Sequence, residues 1–206
     1  ICVYNPKNFS CMINRELYME QITPFIDKPF VKVITGIRRC GKSVVLRLIS
    51  EELLRRGVSE DYIIYMNFES FEWIDMKEAK ALYAHIQETT KASGKYYILL
   101  DEIQEVTDWE KAVNAFLVDL DVDIYVTGSN SRLLSSEFST YLAGRYVAFH
   151  IMTLSFKEYL LFHNLSLTIS ASDRKAEFLK YLRMGGFPAI HTANYDYNAI
   201  YKIVYD

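Results

Sequence analysis

The sequence has few of the residues that interrupt or cross-link a chain. Proline occurs at only four positions, and none of them lies between residues 31 and 187. The three cysteines, Cys2, Cys11 and Cys40, are odd in number and lack metal-ligand spacing, which disfavours a disulfide framework and a zinc site. We therefore expect a protein of a reducing, cytoplasmic compartment with a long, uninterrupted middle section.

Long apolar runs and an excess of one charge are also missing. No apolar stretch approaches the roughly 20 residues that a membrane-spanning helix needs, and the chain does not open with a basic segment followed by an apolar run. The 23 Lys and Arg residues against 26 Asp and Glu residues give a net charge of −3. These absences predict no membrane partner and offer no global attraction to nucleic acid.

What the sequence does contain is enough apolar material for a substantial core, since 50% of its 206 residues are hydrophobic. Short apolar runs alternate with helical patterns, and this alternation indicates a parallel sheet with right-handed crossovers and helices on both faces. The runs and patterns predict strands over 31–35, 62–68, 96–100, 122–126 and 146–151, and helices over 43–56, 76–90 and 109–120, with a further helical stretch from Ser131.

The pattern turns helical after Ser155, over 156–162 and 174–184. We therefore expect a three-layer α/β domain over 1–152 and a small helical extension over 153–206. Residues 194–206 are rich in Tyr and Ile, and no later element follows to cover them. This tail either packs back on the domain or belongs to a longer protein that continues beyond it.

The clearest motif lies between the first predicted strand and the first long helix. It fits the phosphate-loop pattern GxxxxGK[ST] of Walker A and consists of Gly36-Ile37-Arg38-Arg39-Cys40-Gly41-Lys42-Ser43, followed by Val44. In such a loop, backbone N–H groups and the helix N-terminus point at one anion. The lysine adds charge for the β- and γ-phosphates, and the hydroxyl can ligate Mg²⁺. The sequence thus predicts that residues 36–44 bind a nucleoside triphosphate.

Three residues inside the loop have two interpretations each. Arg38 and Arg39 would add positive charge that favours a nucleotide, or they would pair with carboxylates elsewhere in the protein. Cys40 stands beside a helix N-terminus and Lys42, where thiols become reactive, or it is a small residue that fills a tight loop.

Two adjacent carboxylates, Asp101 and Glu102, follow the third predicted strand. Because ligands of open α/β sheets bind at the carboxyl ends of the strands, we expect both acids near the phosphate loop. Asp101 would hold Mg²⁺ through water, and Glu102 would polarise the attacking water as a general base. The alternative is that both are ordinary acids at a strand end.

The class of nucleotide is indicated by motifs that the sequence lacks. A GTPase carries a base-reading Asn-Lys-x-Asp motif, and none is present. Many small-molecule kinases have an Asp at the end of the second strand and an Arg-rich lid, whereas this strand ends in Asn67-Phe68-Glu69 and no such lid follows. These observations favour adenine, so we predict ATP with Mg²⁺ as the cofactor.

Two later positions complete the predicted site. Ser129 and Asn130 close the fourth strand, which in ATPases with a catalytic Glu lies between the Walker A and Walker B strands. They would sense the γ-phosphate, or they would only cap a turn. Arg145 precedes the fifth strand and is either an arginine finger or a surface arginine.

Together these motifs resemble the prokaryotic AAA+-like (archaeal-type) P-loop ATPases, from about residue 15 to the end of the chain. One departure is Thr153, where the family pattern usually has Pro before Leu-Ser-Phe. Besides the phosphate loop, the resemblance is carried by Asp101-Glu102-Ile103-Gln104-Glu105-Val106, Asp108-Trp109-Glu110, Thr127-Gly128-Ser129-Asn130-Ser131, Leu133-Leu134-Ser135, Gly144-Arg145-Tyr146, Leu154-Ser155-Phe156-Lys157-Glu158-Tyr159 and Gly185-Gly186-Phe187-Pro188.

The resemblance implies an N-terminal ATPase domain, followed in the whole protein by a C-terminal region that reaches a protein or nucleic-acid partner. In AAA-type rings the segment before the fifth strand presents an arginine to the next subunit, so the resemblance also implies a homo-oligomer and a role for Arg145. The predicted function is Mg²⁺-dependent ATP binding and hydrolysis. The alternatives are a nucleotide-switched binding module with negligible turnover and an ATP-dependent nucleic-acid remodeller.

Overall fold

The structure, a computed structural model, describes residues 14–129, 133 and 141–191. These residues divide into two compact units. The sheet unit consists of residues 16–37 and of the described residues from 42 to 151, and the helical unit consists of residues 14–15, 38–41 and 152–191. The division at 151/152 lies one residue from the predicted domain boundary, which stays a prediction.

The sheet unit is built on five strands that all run parallel. Their bounds are β1 Val31–Gly36, β2 Ile63–Asn67, β3 Tyr96–Asp101, β4 Val122–Gly128 and β5 Tyr146–Ile151. Each strand agrees with its predicted range to within two residues at either end. The order across the sheet is β2-β3-β4-β1-β5, so β4 lies between β1, which leads into the phosphate loop, and β3, which ends in the acid pair.

The register of the sheet brings the carboxyl ends of β1, β3 and β4 to one edge. Thr35 of β1 pairs with Gly128 of β4, and Leu100 of β3 pairs with Val126 of β4. Every residue of β1 and β3 is buried, because a central parallel strand is covered on both faces. The phosphate loop and the acid pair therefore leave a rigid, apolar sheet at the same edge.

The helices of the sheet unit confirm the predicted three-layer α/β fold of a P-loop NTPase. They are α1 Glu16–Ile22, α2 Lys42–Arg55, α3 Ala79–Thr89 and α4 Trp109–Asp119. Helix α2 packs on β1, β3 and β4 and is joined by α1, while α3 and α4 pack against each other. From β1 to β2 the chain moves across the sheet in one direction, and from β2 to β4 it moves back in the other. Right-handed crossovers therefore place α2 on one face of the sheet and α3 and α4 on the other face.

The helical unit confirms the predicted C-terminal helices. They are α5 Phe156–Phe162, α6 Ala171–Met184 and α7 Pro188–His191. Ser155 begins α5 with a capping box, in which Glu158 bonds back to the Ser155 backbone N–H. The predicted helical stretch from Ser131 falls mostly outside the described residues, and the tail over 194–206 falls wholly outside them. In the part of the chain that the structure covers, we find no helix with the length and apolar character of a membrane span.

Candidate nucleotide site

The phosphate loop connects β1 to α2 through backbone conformations that most residues adopt only at an energetic cost. Gly41 has a φ of 105°, a conformation that glycine adopts readily and other residues do not. Arg39 has a φ of 65°, in the left-handed region that costs energy for a side chain with a Cβ atom. The Cys40 side chain is fully buried, and this favours the interpretation of Cys40 as a small residue that fills a tight loop. Cys40 could therefore contact a phosphate only through its backbone.

Lys42 is a buried cation at the first residue of α2, where its side chain is only 3% exposed. Its Nζ lies 3.4 Å from the carbonyl oxygens of Gly36 and Ile37, at the long end of the hydrogen-bond range. A lysine at a helix N-terminus adds its charge to the positive end of the helix dipole, which is unfavourable without an anion. The arrangement is therefore suited to an anionic ligand.

Glu102 joins the two motifs in space, because its Oε1 lies 3.3 Å from the Lys42 Nζ. The Glu102 backbone is left-handed, with φ 54° and ψ 48°, and its side chain is 15% exposed. Its N–H donates to the Thr127 hydroxyl oxygen at 2.9 Å, and its Oε2 accepts from the Gln104 amide. Strain of this kind in a non-glycine residue persists only where surrounding contacts hold it, and it concentrates at functional sites.

Asp101 is fully buried, and hydroxyl groups orient both of its oxygens. Oδ1 accepts from the Thr127 hydroxyl, and Oδ2 accepts from the Tyr65 hydroxyl at 2.9 Å. Burial, and next to it the neighbouring Asp101 charge, raises the pKa of Tyr65, so this hydroxyl stays protonated and remains a donor. Asp101 is therefore held as an oriented acceptor at the end of β3.

Gln104 carries an unsatisfied polar atom beside Glu102. Its Oε1 is buried and has no hydrogen-bond partner among the residues that the structure describes. A Cβ atom at position 128 would overlap with this oxygen, so the glycine at the end of β4 makes the close approach possible. Buried acceptors are nearly always paired in folded proteins, so the atom indicates a place for a water or ligand donor.

The remaining predicted residues lie at three different places. Ser43 and Val44 are half-buried in the first turn of α2, and Ser129 directly follows β4, whereas Asn130 lies outside the described residues. Arg145 is exposed and donates to the Asn114 side chain at 3.1 Å. The Arg145 carbonyl accepts from the N–H of Val31, the first residue of β1, whereas the phosphate loop begins at Gly36, the last residue of β1. The structure therefore does not bring Arg145 to the phosphate loop of its own chain.

Sequence reasoning missed three residues that orient the acid pair: Tyr65, Gln104 and Thr127. For Thr127 the sequence offered an indication, because a hydroxyl near the carboxyl end of a buried strand lies at the edge where the acid pair is also expected. Tyr65 and Gln104 carried none, since a Tyr within an apolar strand and a Gln after an acid pair are both common.

Comparisons with known sequences identify the family of the chain. A family model described as an AAA domain matches residues 28–160. An uncharacterized protein of Haemophilus influenzae is 44% identical over 184 residues, which cover 89% of this chain and 46% of the relative. The uncharacterized protein MJ1544 of Methanocaldococcus jannaschii is 36% identical over 189 residues, which cover 87% and 39%. The chain thus spans less than half the length of either curated relative.

Solved structures share the fold at low sequence identity. AMPPCP-bound DnaA from Aquifex aeolicus superposes with a TM-score of 0.55 at 16% identity, covering 98% of this chain and 62% of that one. The Aeropyrum pernix ORC1 protein in complex with DNA gives 0.51 at 14% identity, covering 88% and 58%. At these identities the likeness concerns the fold alone. The family model and the motifs together show that the chain belongs to the AAA domain family, a family of AAA+-like P-loop ATPases.

Proposed function

We propose that this chain binds Mg·ATP and hydrolyses it by attack of water on the γ-phosphate, in the cytoplasm. The observation that supports the proposal best is the 3.3 Å contact between Lys42 and Glu102. A phosphate-binding cation and a carboxylate that can act as a base come from two distant motifs, and they meet at the edge of the sheet where α/β proteins bind ligands.

The residues present fit a magnesium nucleotide. Mg²⁺ prefers hard oxygen ligands and keeps several waters, and the Ser43 hydroxyl and the oriented Asp101 carboxylate are donors of that kind. When bound, the ion would neutralise charge on the phosphate oxygens. The backbone of 36–44 would bind the phosphates, Lys42 would contact the β- and γ-phosphates, and Ser129 and Asn130 would sense the γ-phosphate.

Glu102 would accept a proton from the attacking water. Its two oxygens have separate partners, Lys42 on Oε1 and Gln104 on Oε2. When Lys42 turns to a phosphate, Oε1 loses its partner and becomes free for water, while Gln104 and Thr127 still hold the residue. The same contacts that orient Glu102 thus leave one of its oxygens available.

The nucleotide-switched module is the second candidate, because ATP that displaces Lys42 from Glu102 would change the site even without hydrolysis. The proposal of a nucleic-acid remodeller rests on the resemblance, as do the proposals of a homo-oligomer and of a protein or nucleic-acid partner bound by another region of a longer protein.

Steady-state phosphate release separates hydrolysis from switching. Glu102→Gln should keep ATP binding and lower the rate about 10²-fold or more, because an amide cannot accept the proton. Glu105→Gln is the matched control, since Glu105 follows closely but its carboxylate faces Lys77 at 3.9 Å. Release by the Glu102 variant at the parent rate would contradict the base assignment. A parent that binds ATP without releasing phosphate above buffer would establish the switch instead.

A further inference from the structure

Arg15 is a buried arginine that the proposed chemistry does not use. It is 2% exposed and uses three nitrogens within the helical unit. Nη1 donates to the Cys40 carbonyl at 3.0 Å, Nε to Glu158 Oε1 at 2.6 Å, and Nη2 to the Met152 carbonyl at 2.9 Å. A planar guanidinium bound in three directions has little freedom to move.

Glu158 is held as firmly as Arg15. Its carboxylate also accepts from the Ser155 backbone N–H at 2.8 Å, and its own N–H donates to the Ser155 hydroxyl. The capping box that begins α5 therefore fixes the partner of Arg15. Because the pair is almost fully buried, neither charge can be removed without leaving the other uncompensated.

The contact with Cys40 fixes the orientation of one peptide of the phosphate loop. No cis peptide occurs among the described residues. In a trans peptide the C=O and the following N–H point in opposite directions. With the Cys40 carbonyl on Arg15, the Gly41 N–H must point away from the guanidinium. A Cβ atom at position 41 would lie 3.1 Å from Nη1, so the arginine also packs against the loop backbone.

The geometry points to Arg15 as a positioning residue of the phosphate loop. It holds the Cys40–Gly41 peptide in a preset orientation, and in this way prepares the Gly41 N–H to donate to a phosphate. Arg15 acts through this peptide and does not touch the nucleotide. The inference rests on the proposed function, in which residues 36–44 bind ATP. It also makes the phosphate loop depend on Glu158 of α5.

The test is the ATPase kinetics of Arg15→Lys, in which a lysine keeps the charge but cannot make three directed bonds. Loss of phosphate positioning weakens ground and transition states alike, so KM should rise at least about tenfold while kcat stays within about twofold. Arg174→Lys is the matched control, because Arg174 is an exposed arginine of the same unit that donates to the Leu167 carbonyl at 2.6 Å. Its KM should equal that of the parent.

The outcomes distinguish this inference from the proposed function. If Lys42→Ala binds ATP as tightly as the parent, the proposed function fails. Suppose instead that Lys42→Ala no longer binds ATP. If Arg15→Lys then has the KM of the parent, whether or not its kcat is lower, Arg15 is only structural and the inference is overturned. Should Arg15→Lys not fold, Glu158→Asp decides, because it keeps the negative charge beside Arg15 but shortens the side chain and so withdraws the acceptor from Nε. A raised KM supports the inference, and an unchanged KM overturns it.

Discussion

The two ends of the sheet each bury a lysine against a carboxylate, and the two pairs differ in how far their hydrogen bonds are satisfied. At the amino-terminal end, the Lys32 Nζ donates to Asp123 and to the Lys28 carbonyl at 2.9 Å. Asp123 also accepts from the Tyr125 hydroxyl at 2.8 Å and from the Asp27 N–H at 2.9 Å. This end of the sheet is a closed network.

The titration behaviour of this closed end agrees with a structural role. Burial lowers the pKa of Lys32, although Asp123 opposes the shift. Burial, and then the hydrogen bond to Asp27, raises the pKa of Tyr97 to about 12, so its hydroxyl stays a donor. Each charged group that leaves water here gains several partners in exchange.

The carboxyl-terminal end is open by comparison. Among the residues that the structure describes, the polar contacts of the Lys42 Nζ are 3.3 and 3.4 Å long, and Gln104 Oε1 has no partner. Glu102 is left-handed and partly exposed. Under the proposed function, similar charges would thus serve two purposes in one sheet. Satisfied hydrogen bonds indicate a structural pair, and unsatisfied ones indicate where a ligand would complete the site.

The largest expected effect concerns Arg145, which lies at the closed, amino-terminal end of the sheet and would give that end a catalytic residue as well. If Arg145 stabilises the γ-phosphate of a neighbouring subunit, its loss should lower the rate about 10³–10⁵-fold, since a guanidinium supplied in trans neutralises transition-state charge. ATPase activity per mole should then rise with protein concentration in the parent and stay low for Arg145→Ala. Activity that is independent of concentration and equal in both proteins would leave Arg145 an ordinary arginine.

Removal of Lys32 and removal of Lys42 should lower the stability of the protein by different amounts. Lys32→Ala leaves Asp123 buried and uncompensated, so the free energy of unfolding should fall by about 3–5 kcal/mol. Lys42→Ala should cost far less, because the charge it removes lies at a helix N-terminus without saturated bonds. Urea unfolding of both variants measures the difference. Equal losses would show that the two pairs do the same structural work.

A smaller effect is expected at Gly128. Gly128→Ala should push the Gln104 amide away from Glu102, since its Cβ would overlap with the Gln104 oxygen. Misplacement of the base should lower kcat about tenfold with ATP affinity near that of the parent. Single-turnover hydrolysis measures this step. Gly57→Ala is the control for a glycine-to-alanine change away from the site, because Gly57 has open space around it; unlike Gly128 it has a positive φ, so this variant also bears that backbone strain.

The smallest effect concerns the helical unit, where the His163 Nε2 and the His191 Nδ1 lie 3.2 Å apart. Burial is the main cause that lowers the pKa of both residues. A lowered folded-state pKa means that the unfolded chain binds protons first, so stability is complete above the ordinary histidine range and falls as the pH drops through it. The melting temperature should fall by a few degrees from pH 8 to pH 5, and by less in His191→Gln. An equal fall of the melting temperature in the parent and in His191→Gln would show that other groups cause the pH dependence.

The sheet and the centre of the site follow from the sequence because both are local. Apolar runs define the strands, and the phosphate loop needs its glycine and lysine at fixed positions next to a strand and a helix. The orienting contacts do not follow, because they join residues far apart in the chain. Tyr65 reaches Asp101 from another strand, and Arg15 meets Glu158, which stands 143 positions later. No local pattern encodes such pairings, since they depend on where the folded elements are placed.

A calorimetric titration of the parent and Lys42→Ala with Mg·ATP tests the proposed nucleotide site most directly. We expect saturable binding by the parent and a Kd raised at least about 10²-fold in the variant, because a charge is removed from a preorganised anion site. Lys77→Ala is the control, since Lys77 faces the exposed Glu105. This variant should bind Mg·ATP as tightly as the parent. Equal ATP affinity in the parent and in Lys42→Ala would contradict the claim that the open end of the sheet is a nucleotide site.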